Sequence, residues 1–334
     1  MRVSRLLSLT RWAFLWALVF GFPAVVAALT GAGQVYRWNQ LEIDGPSARH
    51  SHAMAYDVQR DVVVLFGGLF GGNSRDSILL GDTWEWNGSE WSLVAETGPS
   101  PRMGHAMFYD SNRGAVILFG GNDGAPLNDT WEWDGREWKH LSTSGPCPRS
   151  RHAVAYDSDR GVAVVFGGIP REPADTWEWD GNSWKIVDVS GPEGRSRAGM
   201  VYDASTKLIV LFGGRLSNGE MLGDTWTWDG NEWIQVASDD LFARSRHSMV
   251  YDSVSDLIIV HGVSFGGRNE MIEWDGIHWN PIGYSLPRNV MEALLPPKRV
   301  YYAMAYIESS GTVLLFGGWD GSSSLSDTWE LIME

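Results

Sequence analysis

Residues 129 to 138 read DTWEWDGREW, and close variants of this stretch recur along the chain. Alternating apolar and polar residues flank the pair Asp134-Gly135. Alternation predicts strands, and Asp-Gly readily adopts the positive φ angles of a tight antiparallel turn, so the stretch predicts a β-hairpin. The phrase begins again at residues 82, 175, 224 and 327, and MIEWDG at residues 271 to 276 is a degenerate copy.

Each copy contains two further strands before this hairpin. In the second copy, HAMFYD (residues 105–110) alternates, and AVILFGG (115–121) is an apolar run closed by two glycines. With TWEW (130–133) and EWKHL (137–141) they form a four-stranded antiparallel unit, whose strands are called A, B, C and D below. Six such sheets bury both apolar faces only when they stack radially, which predicts an all-β, six-bladed propeller.

Two positions that recur in most copies carry a family resemblance. The double glycine after strand B begins at residues 67, 120, 167, 213 and 317. The tryptophan of strand D stands at residues 91, 138, 184, 233 and 279. At these positions the chain resembles the kelch-repeat family from about residue 36 to its end, and the resemblance implies a kelch β-propeller.

The two ends of the chain are predicted to close the ring. Trp38 precedes Arg49 by 11 residues, the same spacing that separates each of the next four strand-D tryptophans from the following arginine. The last copy ends at LIME, where strand D is missing. We therefore expect residues 36 to 42 to be the outer strand of the last blade. The propeller domain is assigned to residues 35–334.

Residues 1–34 are predicted to be a signal peptide or an N-terminal membrane anchor, followed by a short linker. A basic start is followed by 17 uncharged residues that end in Val26-Ala27-Ala28, as the small-residue cleavage rule requires. The predicted location is extracytoplasmic: secreted or periplasmic, or membrane-anchored if the leader is not cleaved. Membrane contact is expected only through an uncleaved leader. The single cysteine, Cys147, excludes an internal disulfide.

The overall charge restricts the class of partner. The chain has 41 Asp and Glu against 26 Lys and Arg, a formal net charge of -15. A strongly acidic chain does not favour nucleic acid or an anionic membrane as partner. We expect a monomer that binds a protein or an anionic glycan or peptide.

Each A strand begins with an arginine, and complete C strands begin with an aspartate on the same face of the ring. Strands about 4.8 Å apart place A and C about 10 Å apart, a gap that an extended arginine largely crosses. We therefore expect a structural ring of ion pairs. Its arginines are Arg49, Arg102, Arg149, Arg195, Arg244 and Arg299. Its aspartates are Asp82, Asp129, Asp175, Asp224 and Asp327.

A second arginine follows two residues later in three consecutive blades: Arg151, Arg197 and Arg246. The other blades have Ser51, Gly104 and Tyr301 at this position. Because the repeat does not require this additional charge, we expect the three arginines to face the channel mouth and to bind a carboxylate or other anionic group. The alternative is ion pairing with local acids such as Asp239 or Asp240.

Three loop features are expected to contribute at the same mouth. The B-to-C loops of these blades add Arg171, Arg215 and Arg268, although Glu172, Glu220 and Glu270 stand near enough to cancel their charge. Trp319, outside the repeat positions, is expected either to stack on a sugar or peptide side chain or to pack on its own loop. The segment between Trp279 and Arg299 spans 20 residues instead of 11, includes a helical turn around VMEAL, and is interpreted as the specificity element.

Some residues of the repeat are of types that an enzyme or a metal site would use. Aligned histidines at residues 52, 105, 152 and 247 are interpreted as structural, with no metal and no cofactor. Copper radical oxidases similar to galactose oxidase need a Tyr-His pair where this chain has Tyr301-Tyr302. The main alternative is an exported sugar-processing enzyme resembling the bacterial sialic acid epimerases. The candidate carboxylates, interpreted as loop residues, include no distinctive acid/base pair: Asp123, Glu172, Glu220, Glu270 and Asp320. The sequence therefore favours a non-catalytic binding module.

Overall fold

The computed structural model describes residues 28–31, 33–72, 76–187 and 189–334. Six antiparallel sheets are arranged in a ring, and the A strand of each contacts the A strands of both neighbours, so the six A strands surround a central channel. The sequence-based prediction of a six-bladed β-propeller is confirmed.

Each of the first three blades is built from four consecutive strands. Blade one contains β3 (Ala53–Asp57), β4 (Val62–Phe70), β5 (Ile78–Trp86) and β6 (Trp91–Ala95). Blade two contains β7 (Ala106–Asp110), β8 (Ala115–Asn122), β9 (Pro126–Trp133) and β10 (Trp138–Ser142). Blade three contains β11 (Ala153–Asp157), β12 (Val162–Phe166), β13 (Thr176–Trp179) and β14 (Trp184–Val187).

The last three blades include the closure of the ring. Blade four contains β15 (Gly199–Asp203), β16 (Leu208–Phe212), β17 (Asp224–Trp228) and β18 (Trp233–Ser238). Blade five contains β19 (Ser248–Asp252), β20 (Leu257–Val263), β21 (Asn269–Trp274) and β22 (Trp279–Pro281). Blade six contains β23 (Ala303–Ile307), β24 (Thr312–Trp319), β25 (Ser324–Met333), β2 (Val35–Leu41) and β1 (Leu29–Thr30). A short 3₁₀ helix (Asp240–Phe242) and helix α1 (Arg288–Ala293) lie in loops.

The N-terminal strand closes the last blade, as predicted. Strand β2 pairs antiparallel with β25, with Trp38 opposite Leu331. Strand β1 adds an unexpected fifth strand to this blade, and Leu29 is buried there although its segment was assigned to the linker. Residues 1–27 of the predicted leader lie outside the described residues. In the part of the chain that is described, no helix has the length and apolar content to cross a membrane.

The tryptophans of strand D join each blade to the one before it. Trp138 Nε1 donates to Thr83 Oγ1 of blade one at 2.8 Å, and its ring packs on Phe66 of that blade. The same indole-to-threonine bond is made by Trp91 with Thr328, Trp184 with Thr130, Trp233 with Thr176, and Trp279 with Thr225. At the closure, Trp38 Nε1 instead donates to Met271 Sδ at 3.0 Å. The threonine of the repeated DTW phrase therefore accepts the hydrogen bond that joins its blade to the next one.

A buried arginine ties together strands A, B and C within each blade. Arg102 Nη1 donates to the Gly120 carbonyl of strand B at 2.9 Å and to Asp129 Oδ1 of strand C at 2.7 Å. Its Nη2 donates to Asp129 Oδ2 at 2.8 Å, which completes a bidentate pair. Equivalent pairs join Arg49 to Asp82, Arg149 to Asp175, Arg195 to Asp224, and Arg299 to Asp327. All of these arginines are at most 2% exposed.

Blade five keeps the ion pair but not the bond to strand B, because Arg244 Nη1 has no hydrogen-bond partner among the described residues. Arg244 Nη2 donates to Glu270 Oε1 at 2.8 Å, so a glutamate occupies the place of the aspartate. The interpretation of Glu270 as a loop residue was wrong: it lies in β21 and is 3% exposed. Its longer side chain reaches the guanidinium from a strand in which the DTW phrase is lost. His261 likewise takes the place of the strand-B phenylalanine and is completely buried.

The buried pairs predict a measurable contribution to stability. We expect Arg102→Met to lower the free energy of unfolding by about 3 kcal/mol, because it leaves Asp129 without the charge that compensates its partial burial. Urea denaturation followed by tryptophan fluorescence measures this change. The matched control is Lys207→Met, which removes a cation from an exposed pair with Asp159. Equal denaturation midpoints for the two variants would contradict a stabilising role for the buried pair.

Candidate functional site

One residue from each blade, two positions after the buried arginine, frames the channel mouth. All six have left-handed backbone conformations, with φ between 57° and 64°. Their peptide groups form a closed circle, in which each N–H donates to the carbonyl of its counterpart in the preceding blade at 2.6 to 3.4 Å. We call this circle the mouth ring; it consists of Ser51, Gly104, Arg151, Arg197, Arg246 and Tyr301.

The mouth ring restricts where its side chains can point. A left-handed conformation costs a non-glycine residue on the order of 1 to 3 kcal/mol, and it persists only where surrounding structure imposes it. Here the circular hydrogen bonds impose it at five non-glycine positions. The three arginines of the ring are therefore presented from consecutive blades on a constrained backbone.

Two of the mouth-ring arginines lie over the aromatic face of Tyr301. The Cζ atoms of Arg246 and Arg151 are 5.0 and 5.5 Å from the centre of its ring, a cation–π arrangement. Within the described residues, no carboxylate lies within 4 Å of the guanidinium nitrogens of Arg151, Arg197 or Arg246. Asp239, considered above as a local partner, accepts from the Leu241 backbone N–H at 2.9 Å instead.

The arginines of the mouth ring destabilise one another's charges. Burial lowers the pKa of Arg151, and the positive charges of Arg197 and Arg246 lower it further against the opposing effect of Tyr301. Burial also lowers the pKa of Arg246, and Arg197 and Arg215 contribute in the same direction. Arginine nevertheless remains charged at neutral pH. Arg197 Nη1 donates to Ser196 Oγ at 3.4 Å, and Ser196 Oγ donates to Glu172 Oε1 at 3.0 Å. The mouth therefore concentrates positive charge that no described carboxylate pairs with directly.

A cavity of about 130 Å³ lies at this mouth. Besides the mouth ring, it is lined by the next residue of each blade: His52, His105, His152, Ala198, His247 and Tyr302. The imidazoles pack on phenylalanines of the preceding blade, as His152 does on Phe119 with 5.2 Å between ring centres. Burial lowers the pKa of His105, His152 and His247 to about 3, so these rings are neutral at physiological pH.

These histidines are not arranged as a metal site. Among the described residues, no group of three or more His, Cys, Asp or Glu side chains could hold a metal ion. The donors that the mouth presents are instead the guanidinium groups, because the imidazole nitrogens are buried. Guanidinium groups suit an anionic group that accepts hydrogen bonds.

The other predicted site residues lie outside this cavity. Arg215 Nε donates to the Gly219 carbonyl at 3.1 Å, and Arg268 Nη1 donates to the Tyr284 hydroxyl at 2.6 Å. Trp319 packs edge-on against His50, with 5.4 Å between ring centres. The structure thus brings Arg151, Arg197 and Arg246 together but leaves Arg215, Arg268 and Trp319 around the rim.

The long loop between blades five and six is anchored to strand β1. Helix α1 lies within it, Met291 and Leu295 pack in one cluster with Leu29, and the Gly283 N–H donates to the Thr30 carbonyl at 2.9 Å. No described residue between Trp279 and Arg299 lines the cavity. The role of this long loop in specificity remains a prediction.

Sequence reasoning did not assign Tyr301 or the cavity-lining histidines to the site. Tyr301 stands at the same repeat position as the three arginines, and that alignment was the available signal. The histidines were interpreted only as packed structural residues. Their exposure to the cavity follows from the position of strand A at the channel, which the sequence pattern alone does not specify.

The opposite end of the channel is chemically different. Its cavity of about 440 Å³ is lined by one tyrosine from each blade: Tyr56, Tyr109, Tyr156, Tyr202, Tyr251 and Tyr306. Several of their hydroxyls donate to aspartates, as Tyr156 does to Asp110 at 3.0 Å. No arginine or lysine in the described chain lines this cavity. The concentration of positive charge is therefore a property of one mouth only.

Comparison with known proteins agrees with this architecture. A family model described as the KLHDC2/KLHL20/DRC7 Kelch-repeats domain matches residues 33–176 and 69–234, which together span more than half of the chain. The chain belongs to the kelch-repeat family. Among solved structures, "Structure of YjhT" is similar to this kelch propeller with a TM-score of 0.65 and 16% identity, over 85% of this chain and 95% of that one. At that identity the likeness shows the fold alone.

The buried histidines predict a stability that falls as the pH drops below about 6.5, before carboxylates begin to titrate. Their folded-state pKa values near 3 lie below the unfolded value of 6.5, so their contribution is complete above pH 6.5 and is lost as the pH falls toward 3. Each adds about 1.4 kcal/mol of destabilisation per pH unit within that window. Urea midpoints between pH 8 and 5.5 measure the slope.

The contribution of a single histidine is separable. We expect His105→Phe, which keeps an aromatic ring against Phe66, to reduce the pH slope by one proton. Midpoints that do not change between pH 8 and 5.5 would show that these rings are not held neutral by burial.

Proposed function

We propose that this kelch propeller is an exported, non-catalytic binding module that holds its partner by an anionic group at the mouth ring. The observation that carries the proposal is the clustering of Arg151, Arg197 and Arg246 without a carboxylate among the described residues. Like charges gathered in a half-buried mouth are unfavourable until an anion joins them. The proposed partner is a protein, or an anionic glycan or peptide.

The dimensions of the mouth support the binding of a group rather than of a whole ligand. Pockets that enclose a drug-sized molecule measure about 300 to 1,000 Å³, whereas this cavity measures about 130 Å³. The rest of the partner would then lie across the surrounding loops. Two exposed apolar side chains there, Leu241 at 80% and Phe265 at 74%, lie on loops joined by the bond from the Phe265 N–H to the Ala243 carbonyl. Such a surface suits a macromolecular partner.

An exported sugar-processing enzyme at the same mouth is the second candidate. The observation that favours it is the cluster of Arg151, Arg197 and Arg246, which suits the carboxylate of a sugar acid. Conversion of a bound sugar acid by the natural chain, followed by NMR and absent in a variant without these three arginines, would favour the enzyme over the binding module.

Binding at the mouth ring is directly testable. Calorimetry with uronic acids, sialic acid and acidic peptides, each compared with its neutral analogue, identifies anions that bind. We expect the triple variant Arg151→Gln, Arg197→Gln, Arg246→Gln to lose at least about tenfold in affinity, because a charge-assisted hydrogen bond contributes about 1.5 to 3 kcal/mol.

The matched control removes one charge from the other face of the ring. Arg136 is exposed in the C-to-D turn of blade two, so Arg136→Gln is expected to bind as the natural chain does. Full affinity in the triple variant would exclude the mouth ring as the site.

A further inference from the structure

We propose that the group taken by the mouth ring is a doubly charged phosphomonoester rather than a single carboxylate. This inference rests on the proposed function of the same mouth and narrows its ligand. Two observations support it: the number of cations without a direct carboxylate partner in the described chain, and their distribution over three consecutive blades.

Charge is the first argument. Arg151, Arg197 and Arg246 bring three positive charges to one cavity, and Arg215 is near enough to affect the pKa of Arg246. A carboxylate supplies one negative charge, which compensates the charge of only one guanidinium. A phosphomonoester supplies nearly two negative charges and three strong acceptor oxygens at neutral pH. It therefore compensates more of this cluster than one carboxylate can.

The placement of the donors is the second argument. The three arginines come from blades three, four and five, and the closed hydrogen-bond circle fixes the backbone of each. Donors arranged along an arc meet a tetrahedral group from different directions, whereas a planar carboxylate presents both oxygens in one plane. Tyr301, from blade six, faces Arg151 and Arg246 from the other side.

The size of the cavity agrees with such a group. A cavity of about 130 Å³ encloses one phosphate group, and the ester oxygen leads the rest of the ligand out to the loops. His152 and His247 line this cavity, but their ring nitrogens are buried, so the donors to the ligand are the three arginines.

The test compares three small probes by calorimetry on the full chain at pH 7.5 and constant ionic strength. Methyl phosphate carries the double charge, methyl sulfate is a singly charged tetrahedral group, and acetate is a singly charged carboxylate. We expect methyl phosphate to bind at least about tenfold more tightly than either of the others, which corresponds to about 1.4 kcal/mol. The triple arginine variant is expected to lose this preference, and Arg136→Gln to retain it.

A change of pH alters the charge of the phosphomonoester but not the charge of the residues that line the cavity. The second pKa of a phosphomonoester is about 6, so its affinity is expected to fall about fourfold between pH 7.5 and 5.5. The titratable groups that line the cavity are Arg151, Arg197, Arg246, His52, His105, His152, His247, Tyr301 and Tyr302. The arginines stay charged and the buried histidines stay neutral across this window, so methyl sulfate affinity is expected to stay constant and to report an intact site.

The outcomes distinguish this inference from the proposal on which it rests. Acetate binding as tightly as methyl phosphate, with both lost in the triple variant, would overturn the phosphomonoester and leave the anion site standing. Methyl phosphate affinity that does not fall at pH 5.5 would also overturn it. No binding by any probe, or binding that the triple variant retains, would overturn the anion site itself.

Discussion

The rest of the propeller depends on one interaction, the ion pair of the buried arginine at the start of each inner strand. In blade two, Arg102 donates to the Gly120 carbonyl at the end of strand B and to the carboxylate of Asp129 on strand C. One side chain therefore holds three strands in register. The backbone carbonyl of Arg102 accepts a hydrogen bond from Gly68 of the preceding blade. The pair thereby fixes both the blade and its contact with the neighbour, and the mouth ring begins two residues later.

This constraint separates two kinds of arginine that stand only two residues apart. Arg149 is completely buried and its charge is compensated by Asp175. Arg151 is half-buried, faces Tyr301, and has no carboxylate within 4 Å among the described residues. A compensated buried charge supports the fold, whereas an uncompensated charge at a mouth attracts an external anion. The same residue type therefore has two functions, decided by the presence of a partner.

Blade five shows that the ion pair of the repeat is preserved where the residues are not. The aspartate is replaced by Glu270, the strand-B phenylalanine by His261, and the next blade supplies Tyr302, whose hydroxyl donates to the His261 carbonyl. The ion pair with Arg244 and the strand order survive all these changes. The degenerate phrase is tolerated because the acid still reaches the guanidinium and the cluster around it is still closed to water.

The sequence by itself determined the blades, their number and the closure of the ring. Alternation, Asp-Gly turns and the 11-residue spacing after each tryptophan are local signals, and Trp38 carries the same spacing at the other end of the chain. The repeat position also predicted Arg151, Arg197 and Arg246 at the mouth, but only the tertiary structure decided how the site is joined. The mouth ring joins residues from six blades, and the left-handed conformation of Arg197 depends on hydrogen bonds with Arg151 and Arg246. Whether a charge has a partner depends on distances across the channel, which exist only once the ring has closed.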